Sequence, residues 1–473
     1  MKQLRKWTVA AFCSLAGVLY AQTPSYSTYQ VNKDLTNFTD WTASSLSKNF
    51  KDKHLKGMES QLMKQLAEKM LRGDYNSAYL LQSYKPIPSN KVLEQQLKLT
   101  NGYSRYENIT GVYLEAGENV VLVGDLHGRT VGLLIPDWMR QPTLGYQPTK
   151  DPEGWGLKKQ EILLHEGVNV INVKKAGNVY VDYFADDPDT APAVTIHFVT
   201  GKVNGYFDAT VQSNEDWNRL LDNAVSPVMD VKGKYIQLAY PVEQLKKLTY
   251  GKGKELAENY DKVMQVQYDF SGATKYNRIP KKRILARVNF NYFMFRDGDG
   301  VAFEGTDGTM KAAIGPEVTT NWGIHHEIGH VMQMRPWLTW GGMTEVSNNL
   351  FSMYGTMSLG DSSRLSKRHI YEVAFSKVLN APEKFIMCVK DPFHKLIPFW
   401  QIQIYADKIG YKDFYADLME HLRNQPHKGA GNASIHNMYE YIKLCCDFLK
   451  TDLTDFFDAW VLSDRKISRR RLW

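Results

Sequence analysis

Asn321-Trp-Gly-Ile-His-His-Glu-Ile-Gly-His330, followed by Gly342-Met-Thr-Glu345-Val-Ser-Asn-Asn349, is the stretch from which the rest of this 473-residue chain is read. It holds His326-Glu327-x-x-His330, two imidazoles four residues apart. On an α-helix that spacing stacks the rings on one face, about 6 Å apart along the axis, so one metal ion can accept both. Glu327 lies about 100° further round, placed to act on the attacking water without ligating the metal. Ile324, Ile328 and Val331 share the opposite, core-facing side. His325 falls between the two faces and reads as structural.

A third donor follows. Pro336 is expected to stop the first helix, and Gly341-Gly342 allows a reversal. Thr344 is read as the N-cap of a second helix that runs to Tyr354 and stops at Gly355. Glu345 opens that helix, with Asn348 and Asn349 one turn on. Asn349 is placed to hydrogen-bond a ligating imidazole or carboxylate. Two histidines, a glutamate and an open corner are the coordination of a catalytic zinc site, so one Zn2+ is expected on His326, His330 and Glu345. Tyr354, Tyr405, His369 and His436 are candidate oxyanion or substrate contacts, and the sequence does not rank them.

The run His-Glu-x-Gly-His, then Glu-Val-Ser-Asn-Asn, resembles the M60-like (enhancin-related) zinc metallopeptidases, a gluzincin group. The resemblance extends to Thr110-Gly-Val-Tyr-Leu-Glu-Ala-Gly-Glu118, to Arg296-Asp-Gly-Asp-Gly300 and to the helical tail, from about Ile109 to the C-terminus. It implies a secreted peptidase of host-associated bacteria that acts on glycoproteins, notably mucin-type O-glycosylated chains. It also implies zinc on His326, His330 and Glu345, with Glu327 as base and acid. Two other readings stay open: a catalytically silent glycan-binding surface protein, and a zinc amidase acting on cell-wall peptides.

Composition sets limits on partners. With 43% hydrophobic and 12% aromatic residues the chain can bury a large core. A net charge of +7 spread over 58 basic and 51 acidic residues makes no strong field, and the clustered cations and aromatic platforms of a nucleic-acid binder are missing. Met1 to Ala21 reads as a signal peptide, with basic Lys2, Arg5 and Lys6 and an apolar run from Trp7 to Leu19 that is too short to span a bilayer. The mature protein is expected to be secreted, periplasmic or cell-surface, monomeric and without a transmembrane segment. Cys388, Cys445 and Cys446 remain after cleavage, and buried free thiols are preferred to a Cys388 bridge.

The fold expected is α+β and multidomain. Residues 22–108 read as a helical N-terminal region, with Met58, Leu62, Leu66 and Met70 as one stripe. Residues 109–225 carry short runs such as Val120-Val-Leu-Val123 and Val194-Thr-Ile-His-Phe198 between turn signals, a β-sandwich. Trp138, Trp155 and Tyr206 are read there as core rather than sugar platforms. Residues 226–473 form the zincin-like, mainly helical catalytic domain, with one strand from Ile284 to Phe295 ahead of the zinc helix. Asp297-Gly-Asp-Gly300 is read as a turn rather than a calcium loop.

Overall fold

The computed structural model describes residues 25–99, 103–147, 150–154, 156–380, 389–426 and 435–460. The proposed signal peptide, Trp155 and Cys388 lie outside the described residues.

Two antiparallel sheets make the sandwich. One orders Leu81–Tyr84, Val194–Phe198, Gly117–Val123 and Gly167–Val173; the other orders Lys202–Val203, Asn108–Leu114, Gly177–Asp182, Gly132–Pro136 and Lys159–Leu163. Strand alternation explains why Val120-Val-Leu-Val123 is buried throughout. Val121 and Val123 join the sandwich core with Ile196 and Val181, while Val120 and Leu122 point outward. The helices Thr28–Leu35 and Gln61–Arg72 cover that outer face with Val31, Leu35, Met63 and Leu66. The N-terminal region is therefore not wholly helical: its strand Leu81–Tyr84 pairs with Val194–Phe198.

The sandwich's second sheet turns its outer face to the C-terminal region. Tyr180 donates to Asp230 Oδ1 (2.6 Å), Asn178 Nδ2 donates to Asp230 Oδ2 (3.1 Å), and Trp138 Nε1 donates to the Tyr180 hydroxyl (3.0 Å). Trp138 is thus a core residue of the seam, and Tyr206 packs half-buried against the same cluster.

Helices predominate in the C-terminal region, but they rest on a sheet larger than the one strand expected there. The base of that region is a six-stranded mixed sheet ordered Phe207–Asp208, Val228–Lys232, Ile236–Pro241, Ile284–Asn289, Gly300–Glu304 and Met294–Asp297. Phe207–Asp208 already belongs to it, so this sheet begins before residue 226. The single strand expected from Ile284 to Phe295 is two. Asn289 Oδ1 accepts from the backbone N–H groups of Asn291 and Tyr292 (2.9 Å each), which turns the chain out of the ladder. It returns as the edge strand Met294–Asp297, antiparallel to Gly300–Glu304, and the segment Asp297-Gly-Asp-Gly300 is the hairpin turn between them. Cys445 is buried, Cys446 half-buried, and both are free.

Candidate active site

The first site helix, Trp322–Met332, begins where the Asn321 side chain accepts from Ile324 N–H (3.2 Å). It ends at Met332, ahead of Pro336, because Gln333 turns extended. The second helix, Thr344–Ser358, differs from expectation at both ends. Thr344 is its first residue rather than its cap, and the cap position is Met343 with no side-chain bond. Gly355 does not stop it. A Cβ there would sit 2.3 Å from His325 Nδ1, so the glycine serves close packing inside the helix. Gly329 does the same from the other side, where a Cβ would meet the Asn348 carbonyl at 2.8 Å. The two helices touch backbone to side chain, which brings their functional residues within bonding reach.

His326 Nε2 and His330 Nε2 converge on Glu345 Oε2 at 3.1 and 3.4 Å. The His326 and His330 rings stand edge to face, 4.9 Å between centroids. All three donors lie within 4.8 Å of one another. A tetrahedral zinc with bonds of about 2.1 Å needs donors about 3.4 Å apart, so this set fits.

The surrounding amides orient both rings. Asn349 Nδ2 donates to the Glu345 carbonyl (2.6 Å), so its Oδ1 faces His326 Nδ1 (2.8 Å) and takes that proton. Gln333 Nε2 donates to the Thr344 carbonyl (2.6 Å) and Ser347 Oγ (2.7 Å), so its Oε1 faces His330 Nδ1 (3.0 Å). Each ring therefore donates from Nδ1 and turns Nε2 to Glu345, as an N–H to the carboxylate when the ring is protonated and as a lone pair for a metal when it is neutral. Asn348 Nδ2 lies 3.1 Å from both ring nitrogens of His326 and 2.9 Å from His330 Nε2, so it packs over the first ring.

Charge follows this geometry. The hydrogen bonds from His326 and His330 hold the Glu345 carboxyl well below the usual carboxylate range. Burial works to lower the pKa of His326, but the bond to Glu345 and the nearby Glu327 charge outweigh it and raise the value. Burial raises the pKa of Glu327, which the neighbouring imidazoles partly offset. His325 behaves otherwise: it is buried, bonded to the Thr319 carbonyl (2.9 Å) and near Gln267 Nε2 (3.2 Å), and burial takes its pKa down to about 4. It stays neutral and holds the helix against its neighbours.

A cavity of about 650 Å³ opens over these groups, lined by His326, Glu327, His330, Glu345 and the edge strand. None of the four candidate oxyanion contacts is among the residues that line it. Tyr354, nine residues after Glu345, lies half a turn round the helix and packs on Phe270 at 4.8 Å. The Tyr405 hydroxyl bonds Thr451 (3.2 Å), His369 is exposed beside Glu372 (3.5 Å), and His436 is exposed on the helix Ile435–Leu449. The polar groups that do line the cavity are Tyr292, Arg296, Gln333, Arg335 and Thr344. Of these, Gln333 was findable, being three residues after His330 and so one turn along the same face.

The family model Peptidase M60, enhancin and enhancin-like, matches residues 202–461. The chain belongs to this family. Solved structures resemble this M60 protein along most of its length. A metallopeptidase from Bacteroides thetaiotaomicron superposes with a TM-score of 0.75 at 21% identity, covering 94% of this chain and 76% of that one. A metallopeptidase in complex with Tn antigen gives 0.66 at 23%, covering 81% and 72%. The CBM32-1, CBM32-2 and M60 catalytic domains of Clostridium perfringens ZmpB give 0.71 at 16%, covering 94% and 48%. At these identities the likeness is one of fold. No curated protein matches the chain. Among the described residues no helix is long and apolar enough to cross a membrane.

Proposed function

We propose that this M60 protein is an exported zinc endopeptidase that hydrolyses peptide bonds in glycoproteins, with mucin-type O-glycosylated chains as substrates. The observation that carries this reading is the convergence of His326 Nε2, His330 Nε2 and Glu345 Oε2 beneath an open cavity that also holds the Glu327 carboxyl. His326, His330 and Glu345 would hold one Zn2+, which when bound supplies Lewis acidity towards water and the peptide carbonyl. Asn349 and Gln333 keep the imidazoles in the ligating tautomer. Glu327 takes the proton of the attacking water and passes it to the leaving nitrogen, a role that its raised pKa suits. The edge strand Met294–Asp297 offers main-chain groups along the cavity, so an extended substrate adds there as a further strand. The glycoprotein substrate is supported by family membership and by the neighbour solved with Tn antigen.

The test is incubation of zinc-loaded protein with mucin, deglycosylated mucin and casein. Cleavage of mucin alone is expected. Cleavage of casein as readily would remove the glycoprotein preference, and binding of mucin without cleavage would favour the catalytically silent reading.

A further inference from the structure

The stretch that matches the M60 model begins at residue 202, yet a much earlier segment is built into the surroundings of the candidate metal site. The helix Asn90–Leu97 opens with the Ser89 side chain accepting from Val92 N–H (3.3 Å). It buries Leu93 and Leu97 in the same core cluster as Met332 and Met334. The chain then passes through Lys98 and Leu99 and meets the residues that follow the first site helix. The Lys98 carbonyl accepts from Arg335 N–H (3.1 Å), and Leu99 stands opposite Met334 in an antiparallel bridge. Leu99 and Met334 are both buried.

The residues met there continue directly from Gln333, whose amide orients the His330 ring (3.0 Å). Gln333 is the first residue past the helix and is already extended, with φ −63° and ψ 130°, so the helical ladder no longer fixes its backbone. Its side chain donates to the Thr344 carbonyl and Ser347 Oγ. A glutamine side chain turns about three bonds, so these contacts place the amide reproducibly only if its own backbone is held. Met334 and Arg335 do the holding, through the bridge to Leu99 and Lys98.

Lys282 anchors that bridge on both sides. Its Nζ donates to Asn90 Oδ1, ahead of the bridge, and to the Tyr103 carbonyl (3.2 Å), beyond it. The same ammonium lies over the Phe184 ring of the sandwich (4.7 Å). The Tyr103 hydroxyl shares a hydrogen bond with the Tyr268 hydroxyl (3.4 Å) and lies 4.0 Å from Sδ of Met332, the last residue of the site helix.

We infer that the segment Asn90–Leu99 is a brace for the metal site, with Leu99 and Lys282 as positioning residues that hold Gln333 and, through it, the His330 ring. This rests on the metallopeptidase reading of the site and gives a part of the chain that precedes the matched residues a share in its zinc affinity.

Zinc affinity is measured by competition with a chelator, well below the melting temperature of each variant. Leu99→Ala empties volume opposite Met334 and should weaken zinc binding about tenfold, the lower end of the effect of losing a ligand's hydrogen-bond partner. Leu99→Met keeps the volume and should restore it. In a Gln333→Ala background, Leu99→Ala should change the affinity by less than about twofold, because both changes act along one chain of contacts. A merely stabilising role would lower the melting temperature in both backgrounds and leave zinc affinity alone. Lys282→Met removes the Nζ donor, keeps the apolar stem and carries the test if Leu99→Ala does not fold. Unchanged zinc affinity in either folded variant, or the full tenfold loss repeated in Gln333→Ala, would overturn the inference. If the wild-type protein takes up no zinc, the metallopeptidase reading fails while amide exchange still decides the brace. The peptide carrying Met334 and Arg335 should exchange about tenfold faster in Leu99→Ala, and equal rates would overturn it.

Discussion

The sandwich and the pair of site helices are held together by different forces. Inside the sandwich, Val121, Val123, Leu133, Val179, Val181 and Ile196 pack in one apolar cluster. Between the site helices, His325, Gln333, Ser347, Asn348 and Asn349 are all buried, and each is bonded to a named partner. Apolar burial is non-directional, so the first region tolerates small changes of shape. Buried polar groups are costly when unpaired, so the second admits one arrangement of rings and amides. The difference is that between a scaffold and an instrument.

The largest effect tests the instrument alone. Glu327→Gln removes a charge while keeping the shape, and turnover should fall by roughly 10²–10⁴-fold with zinc content unchanged by elemental assay. Turnover near the wild-type rate would exclude Glu327 as the proton carrier.

The seam between the two regions comes next. Burial pushes the Asp230 carboxyl up to about 7. The folded state then holds its proton more tightly than the unfolded chain, so its contribution to stability is full below about pH 4 and is lost as pH rises towards 7. The loss is at most about 4 kcal/mol for a shift of roughly three units. Asp230→Asn should flatten this part of the stability curve between pH 4 and 7, measured by thermal melts across that range. An unchanged slope would mean that Asp230 titrates normally.

Gln333→Ala strips the partner of the His330 ring and should weaken zinc binding by about 10- to 100-fold, measured by competition with a chelator. The smallest effect belongs to the scaffold. Ile196→Val should cost about 0.5–1.5 kcal/mol in a denaturant melt and leave zinc affinity untouched. A zinc defect in Ile196→Val, or none in Gln333→Ala, would dissolve the contrast between the regions.

What could be read in advance was what repeats along a short stretch of chain. The spacing of His326, Glu327, His330 and Glu345 fixes their helical faces locally, and the alternation of the sandwich strands is equally local. Long-range placement was not legible. Nothing near Val120 and Leu122 announces that two N-terminal helices cover them. Asn289 looks like any outward residue of a strand until its side chain is seen to bend the backbone. Gly355 carries the sign of a helix end, yet only the approach of His325 explains it. Tyr354 misled for a related reason: it is near Glu345 in sequence but half a turn away in space.

The most direct test of the metal centre is anomalous diffraction at the zinc edge from crystals of zinc-loaded protein. One peak is expected, about 2.0–2.2 Å from His326 Nε2, His330 Nε2 and a Glu345 oxygen, with a fourth direction open to the cavity. No peak there, or a peak whose ligands exclude Glu345, would contradict the account.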